Sequence, residues 1–294
     1  MMYNLFTVGA VDWSRLKKAL SGQFAVPVEA VEVADANEFD SRNWEAWVSC
    51  EYEAVHGDVT YSLNIYATDD VEGRPTERAL SIGLVGELQQ SLLFPADEDL
   101  PSAYWVAIPG GPVTRARLVS SDEEESTYRV DVVEHAVPQL PHVSVAHIPE
   151  VIRLVRMATP IADEFKSVLA DFAERSPVPD GDQAMEDWNW YAPRRLAAWE
   201  SLTVRMASHW PPSRWYPADY YRQDLEMRDH LERVPSTVPA SVASPLRKAL
   251  VRIDDAFRKC TEEDGGEALS AALGSPVPSQ GWWWHRCPLQ IPWG

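Results

Sequence analysis

Trp44-Glu45-Ala46-Trp47-Val48-Ser49-Cys50-Glu51-Tyr52-Glu53-Ala54-Val55 is followed, after His56-Gly57-Asp58, by Val59-Thr60-Tyr61-Ser62-Leu63-Asn64-Ile65-Tyr66. In the first run the even positions are apolar (Trp44, Ala46, Val48, Cys50, Tyr52, Ala54), and the odd positions read Glu45, Trp47, Ser49, Glu51, Glu53. Successive strand side chains point to opposite faces. The pattern therefore predicts a strand over 44–55 with one buried face and one face of carboxylates around a tryptophan. In the second run Val59, Tyr61, Leu63 and Ile65 alternate with Thr60, Ser62, Asn64 and Tyr66. His56-Gly57-Asp58 joins the two as a hairpin.

Working outward, residues 3–9 and 28–34 read as further strands, and Asp12 caps a helix to about residue 20 with Leu16 and Leu20 inward. Thr76 starts a helical pattern over 76–92, and strands follow at 103–108, 113–120 and 127–134. Gly110-Gly111 turns the first of these hairpins and the run Asp122-Glu123-Glu124-Glu125 the second. From Pro149 the period becomes helical. A short helix around 151–155 is followed by one that Thr159 caps, with Pro160 at its first position and Ile161, Phe165, Val168, Leu169 and Phe172 on one face. Ser176-Pro177-Val178-Pro179-Asp180-Gly181-Asp182 reads as a linker. Beyond it, helices are predicted at 193–208, 217–234, 244–261 and 267–273, each opened by a proline or a glycine pair. The predicted fold is an acidic α+β domain over 1–146, mostly antiparallel sheet with helices. A helical connector and linker over 147–182 leads to an all-α, tryptophan-rich domain over 183–294.

The chain has 294 residues, with 26 Lys and Arg against 45 Asp and Glu, a net charge of -19. A chain of this length buries about 75% of its unfolded surface and needs neither disulfide nor metal to fold. Three scattered cysteines (Cys50, Cys260, Cys287) do not make a disulfide framework. The opening Met1-Met2-Tyr3-Asn4-Leu5-Phe6 lacks a signal peptide's basic region, and no apolar run reaches the ~18 residues of a membrane span. A cytoplasmic location with no membrane partner is expected. The acidic balance argues against nucleic-acid binding, which needs a basic surface. The charge is also lopsided. Residues 1–150 hold 9 Lys and Arg against 25 Asp and Glu, a balance of -16, while residues 151–294 hold 17 against 20, a balance of -3.

Candidate chemistry is sparse. His285 and Cys287, with Cys260 or His230, are the best metal ligands, but zinc needs about four ligands with recurring close pairs, so no metal is expected. There is no G-x-S-x-G elbow, P-loop or G-x-G-x-x-G. Glu51 and Glu53 stand roughly 7 Å apart on one strand face, yet nothing local tunes either for acid–base work, so no catalytic residue and no cofactor are expected. A tryptophan among carboxylates is different. Trp, Tyr and Arg anchor interfaces, and surplus charge steers association with an oppositely charged protein. Glu45, Trp47, Glu51, Glu53 and Asp122, Glu123, Glu124 and Glu125 are therefore the expected partner-binding residues. The C-terminal aromatics (Trp188, Trp190, Tyr191, Trp210, Trp215, Tyr216, Tyr220, Tyr221, Trp282, Trp283, Trp284) read first as core and second as a stacking pocket.

The tract Ser102-Ala103-Tyr104-Trp105-Val106-Ala107-Ile108-Pro109-Gly110-Gly111 with the strand to Ser121, and the ending Gly281-Trp282-Trp283-Trp284 to Trp293, resemble the immunity proteins of bacterial polymorphic-toxin systems. The resemblance implies a non-catalytic protein that blocks a cognate toxin. With the lopsided charge, the expected function is neutralisation of a basic protein, such as a toxin nuclease, by occlusion. The alternative expectation is a small-molecule or glycan-binding protein or enzyme built on the aromatic C-terminal part.

Overall fold

The computed structural model describes residues 1–38, 42–97, 100–121, 126–175, 183–233 and 238–293. The protein is mixed α/β with a large, mostly antiparallel sheet, and the chain divides into two compact units, Met1–Val151 and Ile152–Gly294.

The first unit is built on the sheet. Its elements in order are β1 (Met2–Val8), α1 (Trp13–Phe24), β2 (Val31–Asp35), β3 (Val48–Ala54), β4 (His56–Gly57), β5 (Tyr61–Ala67), α2 (Glu77–Leu88), β6 (Ser91–Pro95), β7 (Ala103–Ala107), β8 (Val113–Ser120), β9 (Thr127–Val133) and β10 (Ser144–Val145). The strand order is β10-β9-β8-β7-β6-β1-β5-β3-β2, with β4 beside β9. Among the described residues, parallel pairing is confined to β2 with β3, β10 with β9 and β4 with β9.

The hairpin reading is realised as β3 against β5, with Val48 opposite Ala67 and Glu53 opposite Ser62. Two expectations there need correction. The strand begins at Val48, not at 44. The Asn43 side chain accepts from Glu45 N at 3.1 Å and its carbonyl from Ala46 N at 3.2 Å. This local turn overrides the alternation over 44–47, because a short amide side chain offers the backbone a competing partner. Second, the predicted helix over 76–92 stops at Leu88 with Gln89 in the left-handed region, φ 57°, and β6 follows at once. Ser91, Leu92, Leu93 and Phe94 of β6 are all buried. A strand covered on both faces shows no alternation to read. The predicted Asp12 cap does hold α1, accepting from Ser14 N at 2.9 Å and Arg15 N at 3.2 Å.

The two sheet faces are covered differently. On one, Leu16, Leu20 and Phe24 of α1 and Leu80 and Leu84 of α2 pack against Tyr3, Leu5, Val48, Leu63 and Ile65. On the other, Phe6, Leu93, Val106, Leu118 and Val130 form a second cluster with Val137, Leu140 and Val143 from the segment after β9. That cluster ends where the outward residues turn polar. At the β2-β3-β5 end they read Glu32, Ser49, Glu51, Asn64 and Tyr66, and this part of the face lies outside the apolar clusters.

The second unit continues α3 (Pro149–Leu154) into α4 (Pro160–Arg175), α5 (Gln183–Ala207), α6 (Ala218–Glu232), α7 (Ala240–Cys260), β11 (Thr261–Glu263), α8 (Glu267–Leu273) and β12 (Arg286–Pro288). Phe165 and Leu169 of α4 share a core with Leu196, Trp199, Leu246 and Phe257, so the segment read as a connector supplies one wall of this unit. The expected linker 176–182 lies outside the described residues. The all-α expectation needs correction as well. β11 and β12 pair as a ribbon, Thr261 opposite Pro288, and Arg286 holds it by donating from Nε to Thr261 Oγ1 at 2.8 Å and from Nη2 to Thr261 O at 2.7 Å. Three-residue strands are too short to leave a period in sequence. Helix starts moved too. The sequence predicts that Pro193 and Pro245 open helices, but each lies inside one, leaving the carbonyls of Asn189 and Ser241 without their helical donors.

Candidate functional site

The open end of the first unit's sheet carries an exposed apolar cluster. Trp44 is 77% exposed, Met2 64% and Tyr66 45%. All three line one recess of about 360 Å³, together with Glu32, Asn64 and the Arg42–Glu51 pair. Met2 and Tyr66 are direct partners across β1 and β5, so sheet register places them together. Trp44 is held by its loop. Arg42, buried beside it, donates to Glu51 and to the carbonyls of Asp35, Ala36 and Glu38. Asn43 N donates to Glu32, Trp47 N donates to Ala30 O at 2.9 Å, and Trp47 O accepts from Thr68 N at 2.9 Å. The loop therefore presents its indole from a fixed frame, which lowers the ordering cost of a contact there. Thr68 also lines the recess, and its buried Oγ1 has no hydrogen-bond partner among the described residues.

The expected site residues separate on this surface. Glu53 lies on β3, exposed, and Glu45 is exposed in the loop before it; no ion pair holds either among the described residues. Trp47 is 46% exposed and lies in that same loop, not on the strand. Glu51 is on the outward side of β3 but is neutralised by Arg42, whose side chain is 3% exposed. Asp122, Glu123, Glu124 and Glu125 lie outside the described residues. Sequence reasoning placed Trp44 inward and did not single out Tyr66 or Met2. The available signal was Tyr66 at an outward position of the second run; the register that adds Met2 is a tertiary fact.

Most of the C-terminal aromatics are core. Trp188, Trp199, Trp210, Tyr216, Tyr221, Trp283 and Trp284 are buried, and the Trp283 and Trp284 indoles both donate to Asp229. Trp190 and Tyr191 of α5 are exposed, each beneath an arginine, with Arg194 3.5 Å from the Trp190 ring centre and Arg195 5.1 Å from that of Tyr191. Burial pushes the Cys50 thiol up to about 12, which suits packing and not nucleophilic attack. Cys287 is buried, and His285 is half-buried with its ring nitrogens near the carbonyls of Gly265 and Ser279. Among the described residues no group of three or more His, Cys, Asp or Glu is placed to hold a metal ion, and no helix is long and apolar enough to cross a membrane.

The fold and surface thus define a mixed α/β chain with an exposed aromatic recess on an acidic unit. No protein-family model matches this chain, and comparison with curated proteins and with solved structures gives no match.

Proposed function

We propose that this chain is a non-catalytic binding protein that neutralises a basic protein partner by occlusion, in the manner of the immunity proteins it resembles. The observation that carries the reading is the grouping of Trp44, Tyr66 and Met2 at the open sheet end of the unit whose sequence has the charge surplus. Exposed aromatics grouped on one patch are the usual anchors of a protein interface, while a tryptophan left in water gains nothing. Glu45 and Glu53 supply an acidic rim that steers a cationic surface toward the anchors. Asp122 to Glu125 add to the same unit's negative field. Glu51 acts differently from the expectation: it fixes Arg42 and through it the Trp44 loop. The two units are taken as two domains, the second helical apart from its ribbon. Three free thiols support a reducing, cytoplasmic setting.

The test is a binding measurement on the partner recovered from the native cell with the tagged full chain. Trp44→Ala should weaken binding by about tenfold or more, the scale of an interface anchor, with the circular dichroism spectrum unchanged. Glu53→Lys should slow association and leave dissociation nearly as it was. Equal affinity of the parent and a Trp44→Ala, Tyr66→Ala double variant would remove this patch from the function.

A further inference from the structure

The second unit contains a recess of about 490 Å³ between the stretch Ile152–Thr159, α5 and α6. Its charges run against those of the chain. Three arginines line it, Arg153, Arg156 and Arg205, and the single acid among its lining residues is Asp224. None of the three guanidinium groups forms an ion pair with a carboxylate among the described residues. Arg205, 4% exposed, donates to the carbonyls of Pro211, Ile152 and Val155. Arg153 lies 4.1 Å from the Tyr220 ring centre and donates to Gln223. Arg156 is exposed with no such partner. Asp224 accepts from Tyr216 Oη at 2.5 Å, and burial pushes its carboxyl up to about 7 although part of it opens into the recess. The charged and titratable groups bearing on Asp224 are Tyr216, Tyr221, Arg153 and Arg205. Ile152, Val155, Met157 and Met227 supply apolar wall.

A protein with a net charge of -19 that gathers three guanidinium groups, none in an ion pair among the described residues, around one cavity with a single carboxyl has a reason to hold them there. Guanidinium is the side chain suited to planar, two-point recognition of carboxylate and phosphate. A volume of this size matches the range of small-molecule pockets, about 300–1,000 Å³. We propose that this recess is a binding site for a small organic anion, a carboxylate or phosphate ester with an apolar body, with Arg153 and Arg156 taking the charged end and Met157 and Met227 the rest. Below neutral pH the protonated Asp224 leaves the arginines unopposed. As pH rises through about 7 it ionises and competes with the ligand. Anion affinity should therefore be highest on the acidic side and fall across that range. The site shares no residue with the protein-docking surface, so either proposal stands or fails without the other.

The test uses the full chain and four probes by calorimetry: phenyl phosphate, hexanoate, hexanamide as the uncharged control, and inorganic phosphate as the anion without an apolar body. Saturable binding of either anion at concentrations up to about 10 mM, with none of hexanamide, is the expected result, and the anion that binds fixes the head group. Arg153→Gln and Arg156→Gln should each weaken it by roughly tenfold, a charge-assisted contact, while the exposed positions leave the thermal midpoint close to the parent's. Asp224→Asn should flatten the pH dependence. No saturable binding of either anion would overturn the proposal. So would binding unaffected by both arginine substitutions, or inorganic phosphate binding as tightly as phenyl phosphate, which would leave the apolar wall without a role.

Discussion

At the scale of single residues, two groups set how the surfaces behave. Arg42 is a buried cation whose donors reach Glu51 and three backbone carbonyls. Arg42→Ala leaves those acceptors without their donor in a half-buried setting, and each unsatisfied group there costs about 1–3 kcal/mol. Amide exchange should accelerate over 35–47, and partner binding should weaken even though Trp44 is intact. Unchanged protection in that loop would show that Arg42 is not its clamp. Asp224 has the opposite character, a carboxyl raised to about 7 by burial against an unfolded value near 4. The native state binds this proton more tightly than the unfolded chain does, so the group withdraws stability as pH rises from about 4 to about 7. Asp224→Asn keeps an acceptor for Tyr216 and removes the ionisation. It should match the parent near pH 4 and exceed it by about 1–3 kcal/mol near pH 8 in urea titrations, the partial exposure of the carboxyl reducing the gain. A variant equally stable at both ends would mean that the carboxyl titrates normally.

At the scale of elements, the recurring theme is a side chain from one element completing another's hydrogen bonds. The start of α4 draws acceptors for its first amides from another helix. Glu200 of α5, 3% exposed, accepts from Ile161 N at 3.0 Å and Ala162 N at 2.7 Å. A carboxylate at a helix start also meets the positive end of the helix dipole. Glu200→Ala should cost about 2–4 kcal/mol by stranding two amides, measured by chemical denaturation, whereas Glu200→Gln should cost less because one acceptor remains. A loss below about 0.5 kcal/mol for the alanine variant would show that water replaces the carboxylate. The sequence showed α4 through its 3.6-residue stripe but gave no sign of the partner, because Glu200 and Ile161 are far apart in the chain. The same holds for β6, hidden because both its faces are buried, and for the loop at 43–46, where an asparagine side chain displaced a strand that alternation alone predicts.

At the scale of the whole molecule, charge is the governing term. The first 150 residues carry a balance of -16 and the remainder -3. If the acidic unit captures a cationic protein, association should slow by about tenfold or more between low and high salt, with dissociation changing far less, since screening acts on the long-range approach and not on the packed contact. Stopped-flow measurements across a salt series check this, and an association rate independent of salt would show that the charge surplus serves solubility alone. Anion binding in the second unit should weaken in the same series, because Arg153 and Arg156 are exposed to solvent.

The sequence by itself determined the acidic balance, the β3–β5 hairpin with its inward Val48, Cys50, Leu63 and Ile65, the capped α1, and the helical second half. Those features rest on interactions between neighbours in the chain or on periods repeated within one element. Only the tertiary structure decided which surface is free. Trp44 stands outward because Asn43 turns the chain and Arg42 anchors it. Tyr66 meets Met2 because β1 pairs with β5, and three arginines line one recess with Asp224 because separate segments fold together there. The first turns on side-chain hydrogen bonds that leave no period in the sequence, and the other two on contacts between residues distant in the chain, whose energies no local pattern encodes.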